Sequence, residues 1–158
     1  MFMKVNRLAG VAAAMALVLL ASACGPASHE GMVKGTVWVA DEEGNSITVI
    51  DAGTHRVVTR LTGIEGPHNL QVAPNGKTVW AVSGHQALAV MIDATTYTSH
   101  GTVPTGKMPV HVILTPDGRN AYVTNSEDNT VTVIDAAGMR ATATIPVGQY
   151  PPWPAPQP

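Results

Sequence analysis

The feature that most constrains this chain is a repeat with a period of 42 residues. An aromatic residue, an Ile-Asp-Ala triplet, a proline and a Pro-Asn/Asp-Gly turn each recur at this spacing, with no gaps. These landmarks are Trp38, Trp80 and Tyr122; residues 50–52, 92–94 and 134–136; Pro67, Pro109 and Pro151; and residues 74–76 and 116–118. Several landmarks in one phase indicate copies of a single supersecondary unit, which buries its apolar faces by stacking on its neighbours.

One repeat reads as four short strands joined by tight turns. Segments rich in β-branched residues are separated by clusters of Gly, Asn and Asp, which is typical of strands and turns. In the third repeat the predicted strands are residues 110–114, 120–124, 130–134 and 140–145. A four-stranded antiparallel unit of this length is the size of one β-propeller blade. The predicted fold class is therefore all-β, with about three propeller blades; a sandwich or an up-and-down barrel is the alternative.

The third repeat also carries a motif, because residues 122–125 read Tyr-Val-Thr-Asn. This motif, with its flanks at residues 115–120 and 128–135, resembles the signature of the YVTN family of β-propeller repeat proteins. The resemblance covers residues 33–151, and residues 146–151 resemble the family's blade-to-blade link. It implies propeller blades and an exported or surface protein. The same shape also serves lactonases and the propeller domain of haem-containing nitrite reductases.

The number of repeats leaves the ring open. Residues 33–158 hold three periods, whereas closed propellers have about 4–8 blades. The first strand aligns with the second strand of later repeats, so we expect about eleven strands. After Pro151 the phase fails, because Pro154 and Pro156 occupy apolar positions of the next inner strand and proline cannot donate to a ladder. Residues 152–158 are therefore predicted to be an extended Pro-rich tail.

Three explanations of the open ring are considered. The chain is a piece of a longer propeller, which we favour; two chains pair as a homodimer that closes a six-bladed ring; or the arc exists alone, capped by its tail.

Residues 1–23 have the organisation of an export signal. Lys4 and Arg7 precede an apolar run that is too short to span a bilayer and right for a signal-peptide core. The run ends in Leu-Ala-Ser-Ala before Cys24, and this stretch resembles the bacterial lipobox, in which a lipid is attached to the cysteine. The resemblance implies a lipid anchor on Cys24, a tether over residues 24–32 and a periplasmic or cell-surface location, at the outer membrane in a Gram-negative cell. The alternative is a secreted protein with one free thiol.

Charge and motif content narrow the partners. The net charge is −2, and it becomes −4 once Lys4 and Arg7 are removed with residues 1–23, which excludes a basic nucleic-acid-binding surface. The expected partners are a membrane, through the lipid anchor, and an unidentified protein or small molecule. No cofactor is predicted, because the sequence lacks a haem-attachment motif, a nucleophile elbow and a phosphate-binding glycine loop.

Three of the histidines are candidate ligand-binding residues. Adjacent antiparallel strands share ends, so His68 and His111 at first-strand starts and His85 in a later loop map to one face, near the propeller axis. Histidine is a common metal ligand. However, His68 and His111 are one residue out of phase, so two-residue alternation predicts that their side chains point to opposite sides and do not share a site.

A carboxylate also ends the third strand of each repeat, at Asp51, Asp93 and Asp135. Equivalent positions in successive blades are spread around a ring, so we expect each aspartate to cap its own turn rather than to act as an acid or base. Neither catalytic residues nor a metal site are predicted. The second-repeat loop at residues 84–88 is less polar than its counterparts, and the hypothesis is that it is a contact site; tolerated loop variation is the alternative.

The sequence is best interpreted as an exported, lipid-anchored propeller repeat protein that acts as a binding scaffold without catalysis. Its domains are a signal peptide at residues 1–23, a tether at 24–32, repeats at 33–151 and a tail at 152–158. The alternative function is a propeller enzyme or a metal- or redox-linked periplasmic protein, similar to a lactonase or to the nitrite-reductase propeller.

Overall fold

The computed structural model describes residues 34–149, so the predicted signal peptide, Cys24 with its tether, and the tail lie outside the described residues. Every regular element between residues 34 and 149 is a β-strand. The eleven strands are β1 (Thr36–Asp41), β2 (Ser46–Asp51), β3 (Val57–Thr62), β4 (Pro67–Val72), β5 (Thr78–Ser83), β6 (Leu88–Asp93), β7 (Ser99–Pro104), β8 (Pro109–Leu114), β9 (Asn120–Asn125), β10 (Thr130–Asp135) and β11 (Arg140–Pro146).

The strands form three antiparallel sheets in sequence order. Blade 1 is β1-β2-β3, blade 2 is β4-β5-β6-β7 and blade 3 is β8-β9-β10-β11. Strands β1, β5 and β9 begin 42 residues apart, and so do β2, β6 and β10. The structure thus confirms the eleven expected strands, and β1 takes the place of a second strand as predicted.

The same turn conformations recur with the sequence period. Left-handed backbone, with φ between 47° and 60°, occurs at two sets of equivalent non-glycine positions. These are Asn45, Ala87 and Asn129, and His55, Tyr97 and Met139. Asparagine, which tolerates this region better than most residues, occupies two of the three tips between the second and third strands. The recurring turns hold the strands of each blade in one register, so successive blades present equivalent faces.

Two apolar layers hold the blades together. Between blades 1 and 2, Trp38 and Ile47 pack with Val79 and Ile92, and the layer between blades 2 and 3 contains Trp80 and its neighbours. Strand β5 contributes to both layers, because alternate residues of a strand point to opposite faces. The middle blade is therefore buried on both of its faces.

The outer faces of the two end blades are open. Val37 of blade 1 is 49% exposed, whereas the equivalent Val79 of blade 2 is 0% exposed. At the other end Ile145 of blade 3 is 44% exposed, whereas the equivalent Val103 is 1% exposed. Positions that form the cores between blades are therefore exposed where the next blade is absent from the described residues.

Candidate ligand-binding site

The candidate site is the end of the arc where the inner strands begin, which we term the tip end. It comprises the connections that precede β4 and β8 and the tip loops at residues 42–45, 84–87 and 126–129. Backbone hydrogen bonds join these segments, since the Gly84 N–H donates to the Gly66 carbonyl at 2.9 Å and the Ser126 N–H to the Met108 carbonyl at 3.0 Å. The same pair of segments is thus joined in the same way in blades 2 and 3.

Side chains add further bonds at the tip end. The Gly66 N–H donates to Asn45 Oδ1 of blade 1 at 2.8 Å, and the Lys107 N–H donates to Asp128 Oδ2 of blade 3 at 2.7 Å. The Ser83 hydroxyl donates to the Glu65 carbonyl at 2.6 Å. The loops therefore have fixed positions on a rigid sheet scaffold, an arrangement typical of binding surfaces.

The last residue of the Tyr-Val-Thr-Asn motif stabilises its own tip. Asn125 is fully buried, and its Nδ2 donates to Thr130 Oγ1 at 3.0 Å and to Thr132 Oγ1 at 2.9 Å. In blade 1 the equivalent Asp41 accepts from the hydroxyls of Ser46 and Thr48. The hydrogen bond from the Thr48 hydroxyl to the Asp41 carboxylate is the main reason that the pKa of Asp41 lies below its ordinary value. Sequence analysis missed this structural role. The available signal was an Asn or Asp that is followed by a Ser or Thr five positions later and by a Thr seven positions later.

The structure brings His68 and His111 together, contrary to the expectation that their side chains point apart. Their ring centroids lie 5.4 Å apart in an edge-to-face arrangement, and His68 Nδ1 is 3.0 Å from the Val110 carbonyl oxygen. The register shifts near the start of both inner strands, between Pro67 and Leu70 in β4 and between Pro109 and His111 in β8, so strict alternation does not hold at either histidine. The His68 ring faces β8, the neighbouring inner strand, where it contacts Val110 and His111.

His85 occupies an exposed position in the blade 2 tip loop and covers Gly66. A methyl group on Gly66 would lie 2.9 Å from carbons of the His85 ring, and Gly66 has a φ of +58°. The equivalent Met108 of blade 3 has a similar φ of +50°, so the backbone conformation alone does not require glycine. The close approach of the imidazole is what favours a residue without a Cβ at this position. Within residues 34–149, no group of three or more His, Cys, Asp or Glu is arranged to hold a metal ion.

The recurring aspartates lie in turns at the other end of the blades. Asp51 Oδ1 accepts from the Thr54 N–H at 2.6 Å, and Asp93 Oδ1 accepts from the Thr96 N–H at 2.7 Å. These backbone hydrogen bonds are the main reason that the pKa of Asp51 and the pKa of Asp93 lie below the ordinary value. The predicted turn-capping role is confirmed for both residues.

The third aspartate differs in its surroundings. Asp135 lies 3.7 Å from Arg140 Nη2, which belongs to the first residue of the following strand. The turn after Asp135 reads Ala-Ala-Gly, without the threonine that bonds to the carboxylate in the other two repeats. The sequence position is shared, but the bonding partner is set by the turn that follows.

Two further residues escaped sequence analysis because their partners are distant in the chain. Asn69 Oδ1 accepts from the Val112 N–H at 3.0 Å, and Gln71 Oε1 accepts from the Leu114 N–H at 2.8 Å. These bonds join the inner strand of blade 2 to that of blade 3. A polar residue on a mostly apolar strand was the available signal, but the sequence does not show which amide it meets.

A groove also opens between blades 1 and 2, with a volume of about 470 Å³. Its walls include Arg60, Ile64, Gln86 and Tyr97, so it combines a cation and polar groups with apolar surface. The Arg60 guanidinium donates through Nε to Thr48 Oγ1 at 3.4 Å, which holds the cation against β2. The groove was not predicted, because its lining comes from two repeats.

Two four-stranded antiparallel sheets and one three-stranded sheet, repeated every 42 residues and stacked with apolar layers between them, define the class of this chain. It is a β-propeller-type repeat protein in which the described residues make an incomplete set of blades.

Solved structures of other propeller-type proteins are similar to this chain. Hydrazine synthase from Kuenenia stuttgartiensis matches with a TM-score of 0.70 and 24% identity, over 73% of this chain and 34% of that chain. The dihydro-heme d1 dehydrogenase NirN, in complex with DHE, matches with a TM-score of 0.64 and 19% identity, over 73% of this chain and 26% of that chain. A putative 6-phosphogluconolactonase from Bacteroides fragilis matches with a TM-score of 0.63 and 19% identity, over 76% of this chain and 39% of that chain.

These likenesses concern the fold, and this chain spans well under half the length of each of the three proteins. No protein-family model and no curated protein sequence matches the chain. Among the described residues, no helix has the length and apolar character needed to cross a membrane.

Proposed function

We propose that this chain is an exported, lipid-anchored propeller repeat protein of the YVTN type that acts as a binding scaffold. Support for export and anchoring comes from the basic start, the apolar run and the Leu-Ala-Ser-Ala sequence before Cys24. Support for the family comes from the Tyr-Val-Thr-Asn motif, whose asparagine stabilises its tip loop. The anchor would attach the propeller to a membrane, the outer membrane in a Gram-negative cell.

The observation that carries the binding role is the bonded tip end. Its loops are fixed by backbone and side-chain hydrogen bonds, while the side chains of Glu65, His85 and Gln86 remain exposed. Rigid loops with exposed imidazole, amide and carboxylate groups can hold a protein or small-molecule ligand at little cost in ordering entropy. The paired rings of His68 and His111 add an aromatic surface beside these loops. The ligand is therefore expected at the tip end, near His68, His85 and His111.

The alternative function, a propeller enzyme, is suggested by the activities named for the three similar structures. At 24% identity or less, those likenesses concern the fold alone. A lactonase-like or redox activity would need acid or imidazole groups gathered around one substrate or ion. The pair formed by His68 and His111 supports ligand contact better than catalysis.

The lipid anchor is tested by fractionating cells that express the full chain or its Cys24→Ser variant. We expect the full chain in the membrane fraction and to incorporate radiolabelled palmitate, and the variant to do neither. An unlabelled full chain in the soluble fraction would refute the anchor.

The binding role is tested by photo-crosslinking in the cell of origin. A photoreactive amino acid replaces His85 at the tip end or, as the matched control, Lys77 in an exposed turn of the same blade. We expect one discrete adduct from position 85 that is absent from position 77. If both positions give the same adducts, or neither gives any, the tip end is not the binding surface.

A further inference from the structure

The turn between β4 and β5 contains the only Asn-Gly pair in the sequence, at Asn75 and Gly76. Both residues are exposed. Gly76 has a φ of +68°, and apart from its chain neighbours no atom of the described residues lies within 4 Å of the place where a Cβ would stand. The Asn75 side chain therefore precedes a backbone nitrogen that no side chain shields.

An asparagine in this setting can lose ammonia without an enzyme, because the attacking group is already in the same chain. The Gly76 nitrogen attacks Asn75 Cγ and gives its proton to solvent, while the side-chain amide takes up a proton and leaves as ammonia. The product is a cyclic succinimide. Water then opens this ring: cleavage between the Gly76 nitrogen and Cγ gives aspartate, and cleavage between that nitrogen and the main-chain carbonyl carbon gives isoaspartate.

The turn supplies one contact that favours the reaction and one that slows it. The Lys77 N–H donates to Asn75 Oδ1 at 2.9 Å. Negative charge develops on this oxygen when Cγ is attacked, and a fixed backbone N–H stabilises such a charge. In the opposite direction, the Gly76 N–H donates to the Ala73 carbonyl at 2.8 Å and must leave it before the nitrogen loses its proton. Because the turn is exposed, water can take over this N–H.

The equivalent turn of blade 3 shows that the fold accepts the aspartate product. Asp117 stands there in place of Asn75, Gly118 has a φ of +69°, and the Arg119 N–H donates to Asp117 Oδ1 at 3.0 Å. An aspartate at position 75 can therefore keep both the backbone conformation and the hydrogen bond of the turn. Isoaspartate cannot, because its main chain runs through Cβ and is longer by one atom.

The blade 3 turn is itself a poor site for this reaction. Ring closure at an aspartate requires the neutral acid, because an ionised carboxylate repels the nucleophile and has no good leaving group. The hydrogen bond from the Thr115 hydroxyl is the main reason that the pKa of Asp117 lies below its ordinary value, so the carboxyl group is ionised at neutral pH. The two turns thus share a backbone conformation and differ in the leaving group.

The other asparagines of the described residues are all followed by a residue that has a Cβ, which crowds the attacking nitrogen. Several are also held in place. Asn69 Oδ1 accepts from the Val112 N–H of the next blade, and Asn45 Oδ1 accepts from the Gly66 N–H. Asn125 is fully buried. Asn75 therefore combines exposure, an unshielded following nitrogen and a polarised carbonyl group.

We propose that Asn75 is a site of spontaneous modification, at which the chain converts with time into an aspartate form that keeps the turn and an isoaspartate form that disturbs it. Both forms add a negative charge to blade 2 at the end opposite the tip end. Asn75 and Asp117 line one cavity of about 500 Å³ between blades 2 and 3, so the new carboxylate shares that cavity with an existing one. The inference does not depend on the proposed binding function.

The test follows the full chain carrying Cys24→Ser during incubation in water labelled with oxygen-18 at neutral pH. The label marks conversions that precede digestion in ordinary water. Trypsin cleaves after Arg60 and Lys77, so Asn75 and its control Asn69 fall in one peptide, residues 61–77. Tandem mass spectrometry with electron-transfer fragmentation locates the label and separates aspartate from isoaspartate. We expect both products at position 75, formed at least about ten-fold faster than any at position 69.

A matched pair of variants tests the role of the unshielded nitrogen. Gly76→Ala places a methyl group beside it and should slow conversion of Asn75 at least about ten-fold. Gly118→Ala, at the equivalent glycine with nearly the same φ, should leave the rate unchanged. Circular dichroism confirms that both variants are folded, and their similar backbone strain separates a local effect from a general loss of stability.

Three results would overturn the proposed site. They are equal conversion at positions 69 and 75, an unchanged rate in folded Gly76→Ala, and formation of aspartate without isoaspartate, which would mean direct hydrolysis. The accepted aspartate form is tested separately with Asn75→Asp, which should melt at the same temperature as the unmodified chain. A clear fall in its melting temperature would show that the turn of blade 2 does not accept the carboxylate.

Discussion

Replacing Gln71 by methionine tests the bond between inner strands most directly. Methionine has a similar shape but no strong acceptor, so Gln71→Met leaves the Leu114 N–H without its partner at 2.8 Å. Leu114 is 7% exposed, so water reaches this amide poorly. An unsatisfied buried amide costs about 1–3 kcal/mol. We therefore expect the free energy of unfolding to fall by about 2 kcal/mol.

The assay is urea unfolding followed by circular dichroism at a fixed protein concentration. With an m-value of about 2 kcal/mol/M, the loss lowers the urea midpoint by about 1 M. Gln71→Glu is the matched control, because its carboxylate retains the acceptor, and it should lose less than half as much. Equal midpoints for the two variants would show that the hydrogen bond does not stabilise the contact between blades.

Three further predictions concern the core, the turns and the tip end. Val79→Ala removes two methyl groups from a core between blades and should lower the free energy of unfolding by about 2–3 kcal/mol. Val37→Ala, at the equivalent exposed position of blade 1, should change the free energy of unfolding by less than about 0.5 kcal/mol in dilute monomer. Equal losses for the two variants in urea melts would contradict the exposure of the blade 1 face. The hydrogen bond from the Thr96 backbone N–H is the main reason that the pKa of Asp93 lies below its unfolded value of 3.8. The contribution of Asp93 to the stability of the folded chain is therefore fully present above pH 3.8 and is lost as the pH falls through the pKa of the folded state. The urea midpoint measured from about pH 5 to about pH 2 should therefore fall less steeply in Asp93→Asn than in the unmodified chain, and parallel curves would refute the role. Gly66→Ala should lower the melting temperature more than Gly76→Ala, since both glycines have positive φ but only the methyl group at position 66 would meet a neighbouring ring, that of His85. The backbone strain common to both variants is about 1–2 kcal/mol. Equal losses of stability would mean that the His85 ring moves away freely.

The tip end shows how far sequence reasoning reached for the site. The mapping of His68 and His111 to neighbouring first-strand starts followed from strand order alone, and the structure has both residues there. Their contact was not predicted, because the register of both strands shifts near these residues, and such a shift leaves little trace in residue types. The groove lined by Arg60 and Tyr97 was likewise invisible, since it needs the distance between two blades.

The sequence by itself determined the number, order and register of the strands. The period of 42 residues, the β-branched runs and the turn residues act over a few neighbouring positions, so the chain specifies each blade locally. The tertiary structure alone decided which distant groups meet. The bond from Val112 to Asn69 joins residues 43 positions apart, and the exposure of Val37 depends on the absence of a neighbouring blade among the described residues. Such contacts depend on how blades stack, and blade stacking is a property of the assembled arc rather than of any single repeat.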